Sequence, residues 1–310
     1  MFLPINNFSI DRLESKLFND KGVSVSVARL DKIHSEISGN KLFKLHYFIE
    51  ECLRSEHKTM LTFGGAYSNH LAATAAVCRE KKINCIGLVR GEGGSNLSHT
   101  LSGCRENGMQ LHFISRDEYK NITADTDEDY IQQLYGKCTV VPEGGYSPQG
   151  AKGASLIMDL QKDLCFTHIC TATGTATTLA GLLLKKKPVQ KIISVPVIRN
   201  MTDIQERLNY LTPGIEINAD DIFTEYHFGG YAKYTNELIT FMNKFYTEHG
   251  IPTDFVYTGK LMHAITDKIN KGHFEKGSNI LLLHTGGLQG NRSLEKGKLI
   301  FNRFNMPDLF

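Results

Sequence analysis

Short apolar runs alternate with helix-period segments along almost the whole chain. Val23–Ala28 (VSVSVA), Met60–Phe63, Cys85–Val89, Gln110–Ile114 and Thr139–Val141 read as strands. Lys41–Leu53 reads as a helix, with Leu42, Leu45, Phe48, Ile49, Cys52 and Leu53 on one face. Alanine-rich Asn69–Arg79, then Ser98–Glu106 and Ala151–Leu160, also read as helices. The same alternation continues: strands at His168–Thr171, Lys191–Val195 and Ile280–Leu283, and helices at Leu179–Lys185, Tyr234–Glu248 and Lys260–Asn270. Strands that alternate with helices predict an α/β fold, with mostly parallel twisted sheets and flanking helices. Ligands in such folds sit at the carboxyl ends of the strands. No internal repeat, low-complexity tract or long linker interrupts the pattern, and the densest turn cluster is Pro142–Pro148 (PEGGYSP).

Composition narrows the function classes. The chain has 310 residues, 41% hydrophobic and 22% charged, as expected of a globular protein of one large or two smaller domains. A net charge of +2 gives no electrostatic case for nucleic acid. No apolar run approaches the roughly 20 residues of a membrane helix. The first residues lack a basic region followed by an apolar core, so no signal peptide is expected. Seven cysteines at irregular spacing, with no C-x-x-C pair, point to reduced thiols and a cytoplasmic location, with no zinc site. The twelve histidines show no metal-binding spacing, and no metal is expected.

Three segments and two threonines carry candidate chemistry. Lys41 stands in the first turn of its helix, where a positive charge opposes the helix dipole. Desolvation there lowers a lysine pKa and favours the nucleophilic amine; a solvated surface lysine is the commoner fate of that residue type. Ser68-Asn69-His70 follows a strand and a Gly-Gly turn, where free helix amides suit a carboxylate, and Ser or Asn is equally an ordinary N-cap. Thr171–Gly181 (TATGTATTLAG) lies between a strand and a helix. Its small residues and hydroxyls suit a phosphate, with Thr173, Gly174, Thr175, Ala176, Thr177 and Thr178 closest to the helix start. No lysine falls in that loop, so it is not a nucleotide P-loop. Thr258 and Thr285 are further cofactor-side candidates, Thr285 at a strand end before Gly286-Gly287; strand-end polarity alone also accounts for that threonine.

At these residues the chain resembles the fold-type II enzymes that depend on pyridoxal 5'-phosphate (PLP), in particular the group of 1-aminocyclopropane-1-carboxylate (ACC) deaminases and D-cysteine desulfhydrases. The matching pieces are SGNKLFKL (38–45), FGGAYSNH (63–70), TGTATTLAGL (173–182), VYTGKLMHA (256–264) and HTGG (284–287), in the family's order across most of the chain. The resemblance implies that Lys41 forms the imine with PLP, that Asn69 lies near the ring hydroxyl, and that 174–178 hold the phosphate. It implies that Ser68 faces the substrate carboxylate and the reacting carbon, with Asn69 and His70 beside it, and that Tyr257 and Tyr231 are the active-site tyrosines. ACC deaminases typically read Gln, Glu and Leu where this chain has His70, Thr258 and Thr285, and all three differences match the desulfhydrase pattern. After HTGG the chain departs from both groups, reading Leu288-Gln289-Gly290-Asn291-Arg292.

The resemblance implies a two-domain, tryptophan synthase β-like fold. Residues 1–42 and 146–310 form a large PLP-binding domain and 43–145 a small α/β domain, assembled as a homodimer. The expected reaction on a small amino-acid substrate is β-elimination from D-cysteine or a related β-substituted amino acid, giving pyruvate and ammonia. A neutral threonine near the pyridine nitrogen makes a weaker electron sink than a carboxylate, which suits a good leaving group better than a cyclopropane carbon. ACC deamination is the nearest alternative. Racemization, dehydration, PLP binding without turnover and nucleotide binding are the others.

Overall fold

The computed structural model describes residues 5, 7–37, 39–93, 96–124, 128–161 and 164–301. Nine strands are present among them: β1 (Ile10–Leu13), β2 (Ser24–Arg29), β3 (Thr59–Gly64), β4 (Asn84–Arg90), β5 (Met109–Ile114), β6 (Thr139–Val141), β7 (His168–Thr173), β8 (Lys191–Pro196) and β9 (Asn279–His284). The first six helices are α1 (Lys16–Lys21), α2 (Lys41–Lys44), α3 (His46–Arg54), α4 (Asn69–Lys81), α5 (His99–Glu106) and α6 (Arg116–Ala124). The remainder are α7 (Glu128–Tyr135), α8 (Pro148–Ser155), α9 (Thr177–Lys185), α10 (Ile204–Leu211), α11 (Asn236–His249) and α12 (Thr258–Asn270).

The strands form two sheets. One has the order β1-β2-β9-β7-β8 and is parallel except for the antiparallel edge strand β1. The other, β5-β4-β3-β6, is parallel throughout. Both sheets carry helices, and so their central strands are buried on both faces, while the edge strands β1 and β5 are partly exposed. Thus Ser26 is buried along with Val25 and Val27, although VSVSVA alternates as a half-solvated strand would. The sheet order explains a chain path that the sequence does not announce. β2 leaves for the second sheet and is joined later by β9, which zips against it from Ser24–Asn279 to Arg29–His284.

Several elements differ from the sequence reading. The helix expected over 41–53 is interrupted at Leu45, which separates α2 from α3. The 151–160 helix begins earlier, at Pro148 behind the Ser147 cap, and its second half is a 3-10 helix over Leu156–Gln161. Edge strand β1 and helices α1, α6, α7 and α10 are additions to that reading. β1 is four residues with two charges, and α6 and α7 bury only Tyr119, Ile122 and Ile131 from largely polar sequences, so periodicity there is faint. All seven cysteines are free, and only Cys165 is exposed. Among the described residues no helix is long and apolar enough to cross a membrane, and no cluster of His, Cys, Asp or Glu suits a metal ion.

Helix α9 packs on α8 through Gly181. A Cβ there would lie 2.6 Å from the Ala151 carbonyl oxygen, from Ala154 Cβ and from Ser155 N. Two of those three atoms are backbone and cannot swing away. Gly181→Val is therefore expected to destabilise the fold by about 1–3 kcal/mol through overpacking. Urea unfolding of the two proteins side by side checks this, and an unchanged midpoint would contradict the packing described.

Candidate active site

Residues at the carboxyl ends of strands from both sheets line one cavity of about 270 Å³. They include Ser68, Asn69 and His70 after β3, Arg90 at the end of β4, Glu143 and Gly144 after β6, Thr173–Ala176 and Thr178 after β7, and Thr285–Gly287 after β9. Lys41, Asn40, Lys44, Tyr231, Tyr257 and Gln289 also line it. The sequence-expected residues Lys41, Ser68, Asn69, His70, Thr173, Gly174, Thr175, Ala176, Thr178, Tyr231, Tyr257 and Thr285 thus share one cavity. Ser38, the first residue of the SGNKLFKL segment, lies outside the described residues.

Lys41 is set in place by the segment before it. Gly39 has φ +76°, and a Cβ there would fall 1.8 Å from the Thr285 carbonyl oxygen, so only glycine lets the chain pass the end of β9. The Lys41 ammonium donates to Asn40 Oδ1 at 2.9 Å, and Asn40 Nδ2 donates to Thr178 Oγ1 at 2.8 Å. A chain of hydrogen bonds therefore links the lysine to the start of α9. Burial lowers the Lys41 pKa to about 8, partly opposed by the anionic charge of Asp254. The amine is then substantially neutral at mildly alkaline pH, which a nucleophile or a general base requires.

The Ser68 turn does two jobs. Ser68 Oγ accepts from Leu71 N at 3.2 Å and so caps α4, while Ser68 itself lines the cavity. Asn69 Oδ1 is buried without a hydrogen-bond partner, a group that awaits a donor. His70 bonds Thr62 Oγ1 at 2.9 Å, and because Thr62 gives its proton to Val141 O, the imidazole nitrogen is the donor. Burial first, then the Lys41 and Lys44 amines, push the His70 pKa down to about 3, so the ring stays neutral.

In the 173–178 loop, Ala176 adopts φ +63°, and the first amides of α9 have no helical carbonyl to bond. The Thr175 and Thr177 hydroxyls bond each other at 2.8 Å, and Thr173 bonds Ser194 at 2.8 Å. Thr177 is fully buried, and its neighbours Thr175, Ala176 and Thr178 line the cavity. Thr258 lies behind that wall. It has no exposed surface and is absent from the cavity wall; its hydroxyl donates to Asp254 Oδ1 at 2.7 Å and accepts from Asp254 N at 2.8 Å. Thr285 is the threonine that reaches the cavity at the end of β9.

Tyr257 donates to Tyr231 across 3.4 Å, their rings edge to face. Burial raises both phenol pKa values, Tyr257 the more strongly, so both hydroxyls stay protonated at neutral pH. Protonated phenols suit proton donation, and a lysine lowered to about 8 suits a base.

Sequence reading misses four participants. Lys44 is buried on the cavity wall, and its amine donates to Gly144 O at 3.1 Å. Burial and the neighbouring Lys41 hold its pKa well below the usual lysine value. The i,i+3 spacing from Lys41 is the available signal. Asn40, Arg90 and Glu143 also line the cavity; Asn40 lies within SGNKLFKL next to Lys41, whereas Arg90 and Glu143 belong to none of the matching segments.

A desolvated lysine facing an orphaned asparagine oxygen and a hydroxyl-rich helix start suits a phosphorylated aldehyde, and so defines a class of PLP-binding enzymes. The chain matches the family described as pyridoxal-phosphate dependent enzyme over residues 14–286, and it belongs to that family. A bifunctional D-cysteine desulfhydrase/1-aminocyclopropane-1-carboxylate deaminase of Arabidopsis thaliana, mitochondrial, is 28% identical over 93% of this chain and 80% of its own. A D-cysteine desulfhydrase of Klebsiella pneumoniae is 27% identical over 88% of this chain and 89% of its own. A crystal structure of an ACC deaminase homologue superposes with a TM-score of 0.78 at 25% identity, covering 93% of this chain and 92% of that one.

The Lys41 amine is expected to react with an aldehyde such as pyridoxal phosphate at a rate that rises as pH passes about 8. Asp254→Asn removes an anion that favours the ammonium, so the midpoint should move to lower pH. Stopped-flow rates from mildly acidic to strongly alkaline pH check this. A midpoint near the ordinary lysine value, or one raised by the Asp254→Asn substitution, would contradict it.

Proposed function

We propose that this protein catalyses β-elimination from D-cysteine or a closely related small amino acid, yielding pyruvate, the β-leaving group and ammonia. When bound, PLP supplies an electron sink for charge developing at the substrate α-carbon. The chain's own residues supply the rest. The turn at Ser68-Asn69-His70 receives the substrate carboxylate, with its amides and the neutral His70 adding no competing negative charge. Lys41 Nζ removes the α-proton. The Tyr257–Tyr231 pair, both protonated, offers a proton to the departing thiolate. Water then adds in the release of ammonia, so that D-cysteine and water balance pyruvate, sulfide and ammonia.

Residues 173–178 and Lys44 are the phosphate side of this reading, and Asn69 Oδ1 meets the ring hydroxyl. The observation that carries the choice of reaction is that His70, Thr258 and Thr285 all follow the desulfhydrase pattern, with a neutral threonine at 258 where ACC deaminases typically read glutamate. The D-cysteine desulfhydrase name of the Klebsiella relative supports the same substrate. A small domain over 43–145, a large one over 1–42 and 146–310, a homodimer and a cytoplasmic location belong to this reading too. ACC deamination is the second reading, favoured by the superposition with the ACC deaminase homologue.

The PLP-loaded protein is expected to release sulfide and pyruvate from D-cysteine, with kcat/KM roughly tenfold or more above that for 2-oxobutanoate from ACC. Lys41→Ala should abolish the turnover. Preference for ACC would transfer the assignment to deamination, and wild-type rates in the Lys41→Ala protein would remove Lys41 from the chemistry.

A further inference from the structure

The end of α12 nearest the cavity holds a second buried amine that the chemistry above does not use. Lys260 has no exposed surface, and its ammonium donates to His227 O at 2.9 Å and Gly230 O at 2.8 Å. Both carbonyls already accept backbone bonds, His227 O from Gly230 N and Gly230 O from Lys233 N. The lysine is therefore not needed to satisfy them, and an apolar side chain of the same length would leave no orphaned acceptor. A charge kept in protein at the cost of its hydration, with no acceptor that depends on it, calls for another reason.

That reason lies in what the two carbonyls belong to. The 227–232 loop has φ +49° at Phe228, +94° at Gly229, +116° at Gly230 and +52° at Ala232, a run of positive-φ conformations that Gly229 N to His227 Nδ1 at 3.0 Å and the Phe228 ring against His263 of α12 also help to hold. Tyr231 stands within this run with 52% of its surface exposed, although its hydroxyl end is enclosed enough for burial to raise the phenol pKa. Its hydroxyl meets Tyr257 at the cavity wall. Tyr257 is fixed from the other side, since its amide donates to Asp254 Oδ2 at 2.9 Å at the start of the same helix. Lys260 and Tyr257 thus join the two tyrosines to one rigid element, one by backbone and the other by a side-chain clamp. Burial lowers the Lys260 pKa to about 8, and the fully buried Asp254 opposes that shift, so the clamp is charged at neutral pH and loses its charge as pH rises through about 8.

We propose that Lys260 is a positioning residue whose ammonium clamps the 227–232 loop to α12 and so holds the Tyr231 hydroxyl against Tyr257 at the cavity. The proposal rests on the reading of Tyr231 as a site residue, and its test separates the two. Lys260→Met and Lys260→Gln are prepared with Tyr231→Phe and the Lys260→Met/Tyr231→Phe double variant, all PLP-loaded. Three quantities are measured: hydrogen exchange of amides 228–233, unfolding midpoint, and kcat and KM on D-cysteine.

The expected result for Lys260→Met is exchange in 228–233 faster by about tenfold, the loss of a hydrogen bond to a charged group. The unfolding midpoint and PLP trapping at Lys41 should stay near wild type. kcat should fall as far as in Tyr231→Phe, with KM little changed, and the double variant should be no slower than Tyr231→Phe alone. Unchanged exchange, or kcat losses that multiply in the double variant, would overturn the clamp. Failure of both single Lys260 variants to fold would overturn it as well, because a positioning residue is dispensable to the fold. A wild-type protein that turns over no amino acid would instead remove the functional reading, and the exchange measurement alone would decide the clamp.

Discussion

A carboxylate enclosed by protein must find donors and a counter-charge, and the arrangement around Asp254 meets both needs at once. Its oxygens accept from Val256 N and Tyr257 N at 2.9 Å, from Thr258 N at 2.8 Å and from Thr258 Oγ1 at 2.7 Å. Those bonds fold residues 254–258 into the turn that opens α12 and hold Tyr257 toward the cavity. The same charge favours the protonated forms of Lys41 and Lys260. Burial opposes that influence at both amines and lowers each to about 8, so one buried acid serves two amines that lose their charge over the same pH range.

The position of the cavity follows from topology. Parallel strands deliver their carboxyl ends to one side, and the chain crosses between two sheets so that both sets of ends meet. The meeting is close: Gly39 passes under the Thr285 carbonyl, and Asn40 N donates back to it at 3.4 Å. Lys41 thereby enters the cavity on backbone belonging to neither sheet, anchored by the end of β9 on one side and by Thr178 on the other.

Much of this is legible in the chain. Apolar runs of a few residues mark every central strand because those strands are buried on both faces. The Lys41, Ser68–His70 and 173–178 segments are legible because loops after parallel strands carry unusual composition, Gly, Ser and Thr where packing would choose otherwise. What stays hidden is long-range or weakly periodic. Asp254 sits in a loop beside Pro252 and Thr253, with nothing local to show that its partners are nearby amides plus two distant lysines. Lys260 reads as an ordinary polar position of α12 until the 227–232 loop is seen to fold over it. The bonds of the Thr258 hydroxyl to Asp254 are hidden for the same reason, since nothing local in the sequence marks that pair. Helices α6 and α7 escape notice because their few buried residues barely modulate polar sequences.

The central claim is that the desolvated Lys41, held by Asn40 and the Asp254 charge, is the amine that carries PLP. Borohydride reduction of the PLP-loaded protein, followed by peptide mapping, tests it most directly. The account predicts a visible absorption band near neutral pH that is lost on reduction, with the pyridoxyl group on Lys41 and none on Lys44 or Lys260. Label on Lys44 in place of Lys41, or a protein that stays colourless with added PLP, would contradict it.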